Sequence, residues 1–98
     1  MRHRRFDVAF LRVEQIELPL KAAYLLVADT EAREELEWEC LAYALDPAPV
    51  APGRYQLAVQ TLDGRLLEGE AILVRSVDGA HVFRGTGVLD GVDPAELT

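Results

Sequence analysis

The chain has 98 residues, half of them hydrophobic and 28% charged, with a net charge of −7. That length suits one domain with a single core, the composition excludes disorder, and the acidic balance argues against a nucleic-acid platform. One cysteine, Cys40, cannot form an internal disulfide and suits a reducing cytoplasm; the N-terminus lacks a signal-peptide apolar core, and the longest apolar run, residues 22–28, is too short to span a membrane.

Residues 1–5 carry three arginines and a histidine. They read as a solvated basic arm, with phosphate contact through Arg2, Arg4 and Arg5 the weaker alternative. Phe6, Val8 and Phe10 alternate with Asp7 and Ala9, as in a half-buried strand. After Phe10 the apolar phase slips to Leu11 and Val13 without a turn residue, which predicts a bulge. Ile16, Leu18 and Leu20 resume the first phase, and Pro19 marks an edge or a break. Residues 22–28, apolar on both faces, read as a central strand, and residues 29–33 as a surface turn.

Residues 34–45 set propensity against periodicity. Ala, Glu and Leu favour helix. Leu36, Trp38 and Cys40 nevertheless alternate strictly with Glu35, Glu37 and Glu39, the period of a strand. A helix would place Trp38 among Glu31, Glu34 and Glu35, exposing the largest apolar side chain of the chain. Burying such a side chain is worth about 1.5–3 kcal/mol, more than the propensity difference over a few residues. The segment therefore reads as strand.

Three prolines make residues 46–53 an extended crossing between two halves, neither of which could bury a core alone. Beyond it lies a three-stranded meander turned at Asp63-Gly64 and Asp78-Gly79, since Asp-Gly between apolar runs favours a type I′ hairpin. A two-residue turn at Asp78-Gly79 pairs Val77 with Ala80, Ser76 with His81, Val74 with Phe83 and Ile72 with Gly85. The same turn at Asp63-Gly64 pairs Leu62 with Arg65 and Val59 with Glu68, and reconciling the two requires a bulge near Gly69. Asp90-Gly91 turns the chain out of the sheet. Residues 92–98 form a tail with at most one helical turn from Asp93 and Pro94.

The expected fold is all-β: a small antiparallel barrel or two-sheet sandwich of five to six strands, the alternative being α+β with a helix over about 30–45. No catalytic, metal or nucleotide signature is present, and no cofactor is expected. The glutamates at 31, 34, 35, 37 and 39 read as a solvated or edge-protecting row. Cys40 reads as an inert core residue, and Gly85-Thr86-Gly87 as glycines facing large cross-strand residues such as Ile72 rather than a phosphate loop.

Apolar residues on both faces of 22–28 and 71–74 exceed what so short a chain can cover. The expectation is a non-enzymatic assembly or interaction module with a protein partner or a second copy. Its candidate interface or pocket residues are Tyr24, Leu26, Trp38, Tyr55, Ile72, Val74 and Phe83. A barrel holding a small apolar ligand among Trp38, Tyr55 and Phe83 is the alternative, and a hydrolase-like site at His81 and Ser76 the third. Neither nucleic acid nor membrane is an expected partner.

Overall fold

The computed structural model describes residues 2–30 and 34–97. Seven strands follow one another as β1 (Arg2–Val13), β2 (Ile16–Leu18), β3 (Leu20–Asp29), β4 (Glu37–Ala44), β5 (Arg54–Thr61), β6 (Leu66–Val77) and β7 (Ala80–Gly85). Their lateral order is β2-β1-β3-β4-β7-β6-β5, and β5 returns to pair with β1. Six strands thus close an antiparallel barrel, with β2 as an extra strand beside β1.

Closure depends on β1 serving two neighbours. Its first half, residues 2–7, pairs with β3, and its second half, from Val8 onward, pairs with β5. Between Val8 and Phe10 the register with β5 shifts, which is the bulge the phase slip predicts. The consequence is a change of face. Phe6, Val8 and Leu11 point into the core while Phe10 is 52% exposed. The β1–β2 turn at Glu14 and Gln15 carries no turn signal, although Glu14 adopts φ 59°. Residues 2–5 are not an arm but the start of β1, because pairing with residues 26–29 satisfies their backbone. The expected surface turn at 29–33 and Glu31 fall partly or wholly outside the described residues.

Of the expected strand over 34–45, residues 37–44 form one, with Trp38, Cys40, Ala42 and Ala44 buried, while 34–36 and Leu45 lie outside it. The helical alternative fails for the reason the wheel gave: the indole lies inside. The Trp38 indole lies over two glycines on β7 and β6, the next two strands round the barrel. A Cβ at Gly69 would lie 2.7 Å from the indole, and one at Gly85 would meet it closer still. Gly85 therefore makes room for Trp38, not for Ile72. The indole Nε1–H donates to the Gly87 carbonyl at 3.0 Å.

The meander forms, with corrected register. Asp78-Gly79 makes the two-residue turn, pairing Val77 with Ala80 and Ser76 with His81. A bulge at Val74 then shifts the pairing, so Leu73, not Val74, faces Phe83, and Ala71, not Ile72, faces Gly85. At the other turn the loop is one residue longer. Val59 faces Leu67, Leu57 faces Gly69, and no bulge is needed at Gly69. Leu67, Gly69, Ala71 and Leu73 all point inward, with Glu68 and Glu70 outside.

Residues 45–53 cross without regular pairing. After β7 the chain turns at Gly91 (φ 105°), and Asp93 caps a 3₁₀ turn, Pro94–Glu96, through a reciprocal capping box. Leu89 and Leu97 are buried in the core cluster. Glu96 is held by Arg65 and by Arg4 at 3.5 Å, which ties this tail to β1 and to the start of β6.

Candidate functional site

Strand alternation sends one set of side chains into a barrel and the other toward water, so outward positions are normally polar. The segment from β5 to the start of β6 obeys in part, with Arg54, Gln56, Gln60, Glu68 and Glu70 outside but Ala58 and Leu66 outside with them. The outer face of β3, β4, β7 and the end of β6 does not. On β3 the residues alternating with the buried ones are Ala22, Tyr24, Leu26 and Ala28, none of them charged, and the exposed Lys21 precedes them at the register shift.

The register joins these positions across strands. Tyr24 lies opposite Leu41, and Leu41 opposite Val82. One row further, Ala22, Tyr43, Ala80 and Val77 are successive partners. Val74 occupies the bulge one residue before Arg75, which pairs with Val82. Leu26 and Ile72 extend the patch along a row that also carries Glu39 and Arg84. Leu26, Tyr43, Ile72, Val74 and Val77 are all exposed. The Tyr24 and Tyr43 rings pack edge to face at 6.4 Å, and the Arg5 guanidinium lies 4.0 Å over Tyr24. A groove of about 710 Å³ adjoins the band where Arg5, Leu26, Glu39 and Arg84 meet the edge of Trp38.

Of the seven residues singled out in the sequence, the structure brings four together on this outer face: Tyr24, Leu26, Ile72 and Val74. The other three point inward. Trp38 and Phe83 are buried, and Tyr55 is half-buried, packing edge to face on Phe83 at 6.3 Å with its hydroxyl donating to the Ala51 carbonyl. These three rings fill barrel volume among protein atoms. Leu41, Tyr43 and Val82 complete the outer band and escaped sequence reasoning. Their signal was present, since each alternates with a buried residue, but only strand order shows that they adjoin.

The expected pairing of Ser76 with His81 is real. Ser76 Oγ lies 2.8 Å from His81 Nδ1, and the same oxygen accepts the Val50 backbone N–H at 2.9 Å. The imidazole is 1% exposed, and burial lowers its pKa, so it is neutral at pH 7. Its Nε2 has no partner among the described residues. A serine nucleophile needs a histidine oriented by a third group and reachable by substrate. Among the described residues no third group engages the ring, and the ring is enclosed. Cys40 is likewise enclosed, with burial pushing its thiol up to about 12, which keeps it protonated and unreactive.

No family model, curated protein or solved structure matches the chain. No described helix is long and apolar enough to cross a membrane. The chemistry open to this surface is therefore read from its own side chains: apolar area, two tyrosines and guanidinium groups, a composition typical of contact surfaces.

Proposed function

We propose that this protein is a non-catalytic assembly module that self-associates through the outer face of β3, β4, β7 and the end of β6. The observation that supports this is the apolar band itself, in which aliphatic and aromatic side chains adjoin on the outward face of four adjacent strands, with Glu39, Arg75 and Arg84 among them. Contiguous apolar patches of this kind are uncommon on monomers and mark contact sites. The tyrosine pair supplies rigid area at low entropic cost, the usual character of interface hot spots. A reducing, cytoplasmic setting suits the single buried thiol.

Light scattering over a concentration series tests the reading. The wild-type chain is expected to rise above the monomer mass as concentration increases, and Val74→Glu to weaken association at least about tenfold, as burying a charge in place of an apolar contact does. Val74 is exposed, so the substitution leaves the core intact. A wild-type chain that stays monomeric at every concentration overturns the proposal.

A further inference from the structure

The barrel carries a second apolar surface, and its position and charge specify how copies meet. In the six-membered ring of strands, β1 lies three places from β7 and β5 three places from β4, on the opposite side of the barrel. There the outer face opens into a groove of about 420 Å³. Phe10, Ala58 and Leu66 supply its apolar lining, and Arg12, Glu17 and Glu68 its charges. Phe10 and Leu66 are 52% and 61% exposed. The register explains the assembly of this lining: Phe10 and Leu66 both lie opposite Gln60, and Ala58 lies between Arg12 and Glu68. Phe10 is outward only because of the bulge after Val8.

The two faces differ in charge. Arg75 and Arg84 border the band beside Val82 and Ile72, and neither makes an ion pair among the described residues. Glu17 and Glu68 border the groove, and they too lack an ion pair among the described residues. Glu39, cross-strand from Arg84, and Glu37 beyond it offset part of the positive charge on the band, as Arg12, cross-strand from Glu17, offsets part of the negative charge in the groove. The contrast rests on Arg75 and Arg84 against Glu17 and Glu68. Guanidinium groups that form no ion pair among the described residues thus flank an apolar surface on one side, and carboxylates of the same kind flank an apolar groove on the other. Band against band would gather two Arg75 and two Arg84 guanidinium groups in one contact with no carboxylate but those of the bands themselves, and like charges across an interface are costly.

Resting on the self-association just argued, we propose that the chain assembles head to tail: the band of one copy seats in the Phe10–Leu66 groove of a second, with Arg75 and Arg84 facing Glu17 and Glu68. Such a heterologous contact leaves an unused band at one end and an unused groove at the other, so it continues into a ring or an open chain of subunits.

Two variants at exposed positions test it by complementation in light scattering. Val74→Glu damages the band and spares the groove; Leu66→Glu does the reverse. Each alone is expected to remain monomeric where the wild type assembles beyond a dimer. An equimolar mixture is expected to reach twice the monomer mass and stop there, because one intact band meets one intact groove and neither chain can extend. If Leu66→Glu assembles like wild type while Val74→Glu does not, the band pairs with itself: head-to-tail assembly is overturned and the role of the band survives. A mixture that stays monomeric also overturns it, and a monomeric wild type removes both proposals.

Discussion

The two hairpins of the meander begin from the same dipeptide and end differently. Asp78 and Gly79 both take positive φ, 51° and 84°, in a two-residue type I′ turn. At Asp63-Gly64 only the glycine does, at 90°, and Thr61 pairs with Arg65 across a three-residue loop. The difference lies in the flanking residues. Thr61 Oγ donates to the Asp63 carboxylate and accepts the Arg65 backbone N–H at 3.0 Å, which stabilises the longer loop. At the other turn, Gly79 is buried under the end of β4, and its carbonyl accepts the Ala44 N–H at 2.8 Å. A turn dipeptide therefore marks where the chain reverses, while its neighbours decide loop length. A one-residue difference in that length exchanges the inner and outer faces of a strand.

The comparison can be broken most severely at Gly79. A Cβ there would combine left-handed strain with a contact 3.1 Å from the Ala44 carbonyl, so Gly79→Ala is expected to cost roughly 2–3 kcal/mol in denaturant unfolding. Gly64→Ala meets nothing within 4 Å and should lose only the backbone term, about 1 kcal/mol. Equal losses at both sites would contradict the packing argument. Thr61→Val keeps the shape and removes the hydroxyl, with an expected loss of about 1 kcal/mol for the hydrogen bonds.

The smallest effects are pH-dependent and separate the two turns by window. Thr61 and His81 are the two buried polar side chains among the described residues, and each adjoins one Asp-Gly turn. Burial holds the His81 imidazole below its ordinary value of 6.5, so the unfolded chain takes up this proton first. Its contribution to stability is full above about 6.5 and declines as pH falls below it. Chemical unfolding at pH 7.5 and 5.5 should show that decline in wild type and less of it in His81→Phe. Asp63 is held below its ordinary value of 3.8, chiefly by the Thr61 hydroxyl. Its contribution is present above that value and is lost only in stronger acid, a loss that Thr61→Val should reduce.

Much of the fold was legible because side-chain parity is a direct readout of strand geometry. The glutamate alternation at 35–39 identified β4 against its helical propensity, and the phase slip after Phe10 marked the bulge. Less legible was anything set by contacts between distant strands. Arg2–Arg5 look like a loose terminus until β3 is found beside them. Gly69 and Gly85, 16 residues apart in sequence, are explained by one indole that belongs to neither strand. The outer band was half legible. Tyr24, Leu26, Ile72 and Val74 stood out because their neighbours are also apolar. Leu41, Tyr43 and Val82 looked like ordinary alternating positions, and only the order β3-β4-β7-β6 gathers them.

Pairing of β1 with β5 joins residues 8–13 to residues 57–61 and makes the first strand also the last seam. Synthesis from the N-terminus leaves the second half of β1 waiting until β5 has emerged, with one backbone edge open and only the three-residue β2 along the other. Non-local closure of this kind places folding in the slow, millisecond-to-second regime. Until the seam shuts, a nascent chain offers the same unpaired amides that would let two unfinished molecules exchange strands.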